Sequence, residues 1–440
     1  MDGKLCNMWV GVREVTFKIP IVFVLTLQLP LFGEPGLQLS YWGINTFMDH
    51  GLYIHIPFCR RRCHYCDFNT YAGMEDRIPA YIDALIKELR IAFASLMDPE
   101  LSTIYLGGGT PSIVGLSHYT RLFQEIRDFA ALRPDVEISI EANPGTLSLA
   151  YLMGLREIGV NRISIGVQST DTFDLQRLDR IHLVEDILLS LQTARQAGFD
   201  NINFDMIFGV PWQNLKSWEN SLARALALKP EHFSLYSLII EPGTPLHSWH
   251  QRGLISLQDG DLEADMYEVA MGMLADSGYE HYEISNWAMA EKDRDNRCRH
   301  NLRYWRNQSY IGIGAGAHGY VNHIRTANTR QIKDYIQSVE QNGSEVKPLP
   351  TTGATDFSEA VDRETQMRDF MMLGFRMVRE GVSRKLFQTT YGVGILDVFE
   401  EEIEKLLEQG LIEWKDVAQS GLRLSKRGVF LANRVFREFV

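Results

Sequence analysis

Leu52-Tyr53-Ile54-His55-Ile56-Pro57-Phe58-Cys59-Arg60-Arg61-Arg62-Cys63-His64-Tyr65-Cys66 runs from a short β-rich segment straight into three cysteines packed within eight positions. Residues 52–56 predict a strand, and Pro57 ends it. Working outward, the same rhythm recurs. Further β-rich runs at 103–106, 137–141, 162–167, 201–208 and 232–238 end in Gly, Pro or polar residues. Amphipathic stretches at 78–93, 117–132, 148–158, 171–197, 215–228 and 262–276 follow the strands. Six strands alternating with helices imply a parallel sheet with right-handed crossovers. Residues 202–208 are almost continuously apolar, as expected when helices cover both faces of a sheet. The expected fold class is therefore α/β: an incomplete six-stranded (β/α)6 barrel, with a doubly wound sheet as the alternative. The residues beyond 277 do not support a full eight-stranded barrel.

Past residue 277 the pattern changes. Residues 278–342 are rich in aromatics and glycine, with a basic, polar stretch at 294–306, and read as a segment at the barrel mouth. Residues 343–364 are polar and read as a linker. Residues 365–440 read as helices at 365–379, 383–391 and 395–409, a two-stranded wing at 412–415 and 422–424, and a last helix at 426–440. That is a small helical, winged-helix-like domain. Residues 1–48 read as an extension ahead of a core barrel at 49–277. Their apolar run, 19–32, is interrupted by Pro20, Gln28 and Pro30 and is shorter than a bilayer span of about 20 residues. It also lacks the basic flank and cleavage site of a signal peptide. Met48 stands just before the first convincing strand and is a candidate start.

The chain has 440 residues, 45% hydrophobic and 23% charged, which excludes a largely disordered chain and a collagen-like fibre. Net charge is −12, without the global field of a nonspecific nucleic-acid binder. Five cysteines, three of them clustered, make a poor disulfide framework. They read better as a metal site in a reducing compartment, hence a cytoplasmic chain without a membrane span.

The C-x3-C-x2-C spacing lets Cys59, Cys63 and Cys66 hold three corners of a [4Fe–4S] cluster. No fourth cysteine lies nearby, because position 68 is Phe68, so one iron is left for a non-protein ligand. Zinc is the alternative, but a structural zinc site wants four closed ligands, and His64 is wedged between two of the cysteines. Arg60, Arg61 and Arg62 favour an anionic cluster. Other chemistry-bearing residues stand at the carboxyl ends of the expected strands: Gly107-Gly108-Gly109-Thr110, Glu141, Gln168 followed by Arg180, and Asp205 within an apolar strand. Glycines let a ligand approach the backbone, and a carboxylate accepts hydroxyls or pairs a cation. An acid inside an apolar strand needs a partner, and Arg180 or Arg162 would serve. Barrel sites lie on this rim.

The cysteine spacing resembles that of the radical S-adenosylmethionine (SAM) superfamily. The chain from about Tyr53 onward resembles its oxygen-independent coproporphyrinogen oxidase family. The resemblance implies that SAM chelates the open iron and is cleaved to a 5′-deoxyadenosyl radical. By motif match it implies SAM contacts from Tyr53, Gly108, Gly109, Thr110, Glu141, Gln168, Arg180 and Asp205, with Tyr65 near the adenine. An electron donor for the cluster is implied as well.

The family has an oxidase branch and a haem-chaperone branch. The oxidases continue the motif to a further cysteine where this chain has Phe68. His300-Asn301-Leu302-Arg303-Tyr304-Trp305 matches the H-N-x-x-Y-W motif of haem-binding members. An imidazole can ligate haem iron, aromatic rings can stack on the macrocycle, and Arg297, Arg299, Arg303 and Arg306 suit propionates. The alternative reading makes His300 part of a structural loop. His318 is a second candidate near the mouth, His55 and Cys298 read as core residues, and Cys6 has no assigned role. The expectation is a carrier that binds the cluster, SAM and haem, and delivers haem to apoproteins. Respiratory haem proteins reached by contact at the membrane are the expected recipients. The rival expectations are oxidative decarboxylation of coproporphyrinogen III, and radical SAM chemistry on another substrate.

Overall fold

The computed structural model describes residues 15–17, 25–27, 49–256, 258–342 and 350–440. The expectations for Cys6, for the apolar run 19–32 and for Met48 fall wholly or largely outside these residues. The first 46 residues form a unit of their own, in which Val15–Phe17 and Leu25–Leu27 pair antiparallel.

The second unit is built on one sheet. Six strands run parallel in chain order: β1 (Asp49–Ile56), β2 (Glu100–Gly108), β3 (Ala131–Ala142), β4 (Arg162–Gln168), β5 (Ile202–Phe208) and β6 (His232–Ser237). Beyond β6 lie the antiparallel strands β7 (Tyr279–Glu283) and β8 (Asn286–Met289). On the other side, β9 (Tyr310–Ile313) pairs parallel with β1 and continues through β10 (His318–Val321), β11 (Ile324–Asn328) and β12 (Thr355–Ala360). The order β7-β8-β6-β5-β4-β3-β2-β1-β9-β10-β11-β12 does not close on itself. This is a partial barrel, as the strand count implies.

The crossovers are helical: α1 (Ile78–Ala94), α2 (Leu116–Phe129), α3 (Leu149–Glu157), α4 (Thr172–Arg177), α5 (Val184–Gln196) and α6 (Leu215–Ala227). After β6 come α7 (Pro245–Gln251), α8 (Gly260–Asp276), a short α9 (Arg299–Trp305) and α10 (Ile332–Asn342). Leu52, Ile54 and Ile56 of β1 are fully buried beside Leu85 and Leu89 of α1 and Phe123 of α2. Each such side chain contributes about 1.5–3 kcal/mol.

Two departures from the sequence pattern matter for the site. The stretch 171–197 is two helices, not one. Asp171 caps α4, and the chain breaks at Asp179, whose φ is +57°, so that Arg180 turns inward. The segment 278–342 supplies β7–β11, α9 and α10, and the polar stretch 343–364 includes β12. These strands are too short and too polar to show a clear period of two. The C-terminal helices are α11 (Arg363–Gly374), α12 (Arg384–Tyr391), α13 (Ile395–Glu408), α14 (Lys426–Phe430) and α15 (Ala432–Phe436). Ile412–Trp414, Gly421–Leu424 and Val382–Ser383 form the small wing sheet among them.

Candidate functional site

The cysteine loop leaves the carboxyl end of β1. It is held by Asn69, whose side-chain amide donates to the carbonyls of Ala315 and Arg330, both at 2.9 Å. His55 Nε2 donates to the Asn69 carbonyl at 2.9 Å, so its Nδ1 accepts from the Tyr53 hydroxyl, also at 2.9 Å. Burial keeps His55 neutral, with its pKa lowered to about 4.

Each of the three sulfurs has a polar side chain within reach. Thr110 Oγ1 donates to Cys59 Sγ at 3.5 Å and Arg180 Nη1 to Cys63 Sγ at 3.4 Å, while Thr70 Oγ1 stands 3.8 Å from Cys66 Sγ. Asn143 joins two of these. Its Nδ2 donates to Thr110 Oγ1 at 3.0 Å and its Oδ1 accepts from Arg180 Nη2 at 2.6 Å. Burial and the neighbouring thiols push Cys59 up to about 12. Three thiols in one loop, each beside a polar donor, suit a cluster that takes their protons' place. The chemistry of this donor set, three thiols with a donor to each, suits an iron–sulfur cluster, while among the described residues no group of three His, Cys, Asp or Glu side chains is arranged to hold a metal ion.

Beside the loop the carboxyl ends of the strands bring glycines, two carboxylates and a guanidinium together. Gly108 is at φ +117°, and a Cβ there would lie 2.5 Å from His55, while one on Gly109 would lie 2.6 Å from the Phe58 carbonyl oxygen. Glu141 is fixed by the Gly108 amide and the Tyr105 hydroxyl, each at 2.9 Å. Burial and the charge of Asp205 raise its pKa to about 7. Asp205 accepts from Ser164 at 2.7 Å and Asn203 at 2.8 Å, and burial raises its pKa. Its hydrogen-bond partners are thus neutral groups, in place of the direct Arg180 or Arg162 ion pair. Gln168 adopts φ +63° at the end of β4, with its amide nitrogen beside Gly166 near Asn143 and Arg180. Arg180 Nε is buried and lacks a hydrogen-bond partner among the described residues, a donor suited to a carboxylate. Tyr65 packs at one side with Leu178, Ile207, Val210 and Leu246. Tyr53 is buried over Tyr105.

The H-N-x-x-Y-W segment lies elsewhere. It forms α9, at the amino ends of the strands, opposite the cysteine loop. His300 is fully buried, with Nδ1 2.8 Å from Thr103 Oγ1 and Nε2 2.8 Å from the Tyr304 hydroxyl. Trp305 packs under Arg376 at 4.1 Å. The four arginines expected to meet propionates are paired within the chain: Arg297 with Asp295, Arg299 with Asp135, Arg303 with Asp49 and Arg306 with Glu380. The placement at the barrel mouth is therefore corrected. Residues 299–305 fit the space below the barrel because Glu137 takes their amides and Gly51 leaves room for Arg303. His318 lies half-buried nearer the cysteine loop, its pKa lowered to about 4 by desolvation and by His55. Cys298 is a buried free thiol beside Glu137.

Sequence reasoning missed Asn143, Asn69 and Thr70. Asn143 stands two residues after Glu141 in an Asn-Pro-Gly turn, and that position at a strand's carboxyl end was the available signal.

A radical SAM superfamily model matches residues 53–225, and a HemN C-terminal domain model matches residues 361–431. The chain is 39% identical over 391 residues to the heme chaperone HemW of Bacillus subtilis, covering 88% of this chain and 98% of that one. The chain belongs to the HemW family. The HemW of Escherichia coli is 34% identical over 397 residues, covering 88% of this chain and 97% of that one. Among solved structures, the coproporphyrinogen III oxidase HemN of Escherichia coli aligns with a TM-score of 0.74 at 23% identity, covering 89% of this chain and 90% of that one. The HemW family thus shares its fold, a radical SAM partial barrel with a C-terminal helical domain, with HemN. Among the described residues no helix is long and apolar enough to cross a membrane.

Proposed function

We propose that this chain is a haem chaperone that holds a [4Fe–4S] cluster and SAM on the carboxyl rim of its barrel, binds haem, and delivers it to apoproteins. The observation that carries the proposal is near-full-length similarity to relatives named as haem chaperones. The site supports the rest. Cys59, Cys63 and Cys66 would hold the cluster, with Thr110, Arg180 and Thr70 donating to its sulfurs. Arg180 would pair the SAM carboxylate, and Glu141 would accept its ribose hydroxyls. Asp205 would hold the polar end of β5 beside Glu141. Tyr53, its hydroxyl proton committed to His55, would offer oxygen lone pairs to the SAM amino group. Gln168, Gly109 and Tyr65 would shape the walls. When bound, the cluster and SAM supply one-electron chemistry at the open iron.

Haem is cargo in this reading. The recipients are haem apoproteins in the cytoplasm or at the membrane surface, respiratory ones among them, and a reductant serves the cluster.

The test uses anaerobic, cluster-reconstituted full-length protein. Haem-loaded protein should pass haem to an apo-globin acceptor, read by the acceptor's Soret band. Coproporphyrinogen III, SAM and dithionite should give no protoporphyrinogen. Protoporphyrinogen formed over many turnovers, with no haem transfer, would make the chain an oxidase.

A further inference from the structure

We infer that His300 is a positioning residue of the SAM pocket, not an iron ligand: from the barrel floor it holds the ring of Tyr105 and, through it, Glu141. The inference rests on the proposed role of Glu141 at the SAM ribose.

The floor is built from α9. One carboxylate, Glu137, takes the amide of Arg299 at 2.8 Å, the amide of His300 at 3.1 Å and the thiol of Cys298 at 3.6 Å. Arg303, one turn on, donates to Asp49 Oδ2 at 2.8 Å, to Ser102 Oγ at 2.6 Å and to the carbonyl of Ser309. The helix is therefore locked to the amino ends of β1, β2 and β3.

Its spacing explains the motif without haem. His300 and Tyr304 are four apart, hence neighbours on one helix face, and the imidazole meets the phenol there. The other imidazole nitrogen meets Thr103 of β2. An iron ligand needs a free nitrogen lone pair and an open approach, and His300 has neither. Taking it as a ligand would strip one of the buried hydroxyls, that of Thr103 or of Tyr304, of the nitrogen it donates to.

The imidazole instead supports what lies above it. Its ring stacks on Tyr105, with centroids 5.3 Å apart and planes at 24°, and lies 6.5 Å from Tyr53. The Tyr105 hydroxyl donates to Glu141. A continuous path thus runs from Glu137 through His300 and Tyr105 to Glu141, along the barrel interior from one end to the other.

The experiment compares His300→Gln, Tyr105→Phe, their double variant and Glu141→Gln in full-length, cluster-reconstituted protein. SAM affinity is read by equilibrium dialysis, the SAM-induced change in the reduced-cluster EPR spectrum is recorded, and haem is followed by its Soret band and affinity. His300→Gln should weaken SAM binding about fivefold to tenfold, the size of one lost buried hydrogen bond. Tyr105→Phe should do the same, and the double variant should be no worse than about the worse single. The haem spectrum and affinity should not move. A changed iron-coordination spectrum in His300→Gln with unchanged SAM affinity would overturn the inference. If Glu141→Gln and Tyr105→Phe lose SAM affinity and His300→Gln does not, the inference alone fails. If none of the three loses it, the proposed role of Glu141 fails first. Should His300→Gln not fold, Tyr304→Phe releases one imidazole contact while keeping the ring, and the same readings apply to it.

Discussion

The guanidinium of Arg180 donates to the sulfur of Cys63 across 3.4 Å. The same group reaches Asn143 and the Gly166 carbonyl, and its Nε is left buried and unused. One side chain therefore faces both the cluster position and the space beside it. Arg180→Gln removes a donor to a thiolate and a partner for a carboxylate. The reduction potential of the cluster should fall, because a hydrogen bond to sulfur favours the more negative, reduced state. SAM affinity should drop roughly tenfold to a hundredfold, in line with ~1.5–3 kcal/mol for a hydrogen bond to a charged group. Redox titration by EPR and equilibrium dialysis measure the two. An unchanged potential would show that the donor does not tune the cluster.

Asn143→Ala separates Thr110 from Arg180. Partners one step behind a metal ligand typically cost about 10- to 100-fold in metal affinity when removed. Cluster retention under a chelator challenge, followed by the charge-transfer absorbance, should fall by about that factor while the fold persists by circular dichroism.

Cys63→Ser should abolish the cluster absorbance and EPR signal outright. A retained signal would remove the three-cysteine assignment.

Glu141 has its pKa raised to about 7, first by burial and then by the charge of Asp205. A carboxylate accepts two ribose hydroxyls, whereas a carboxylic acid must donate at one oxygen. SAM affinity should therefore weaken as pH falls through about 7. In Asp205→Asn the repulsion is gone, so the midpoint should move to lower pH. Affinities taken across pH 6 to 8.5 for both proteins read this directly. A flat profile would mean that Glu141 does not meet SAM.

Glu88 is fully buried in α1 and is engaged by the Gly314 amide, Asn328, Tyr335 and Thr352 at 2.6–2.8 Å. Glu88→Ala leaves several buried donors unmatched and should destabilise the chain by roughly 3 kcal/mol or more. Glu88→Gln should cost less, since its oxygen keeps two of the four donors and the Tyr335 or Thr352 hydroxyl can turn to accept its amide, leaving only the Gly314 or Asn328 donor unmatched. Thermal unfolding of the two variants checks the order.

The six parallel strands were legible in the sequence because their apolar runs are strong and buried on both faces. Each observed strand overlaps the run that predicts it, from Asp49–Ile56 to His232–Ser237. The cysteine loop was legible because its spacing is local. The break at Asp179 was not, since helical periodicity continues across it and only a tertiary site explains Arg180. Nor was the floor helix. Its contacts join residues some 160 to 250 positions apart, such as His300 with Glu137 and Arg303 with Asp49, and no local pattern carries that. The motif was visible, but which end of the barrel it occupies was not.

The Asn69 clamp carries a consequence for biosynthesis. Its two carbonyl partners are 246 and 261 residues further along the chain. At about 5–20 residues per second, a ribosome needs on the order of tens of seconds to make that length. The three thiols thus emerge long before the residues that hold their loop. A clamped loop exists only once residue 330 has been made, and a fragment ending at residue 225 would carry all three cysteines and the donors to their sulfurs without the two carbonyls that hold Asn69.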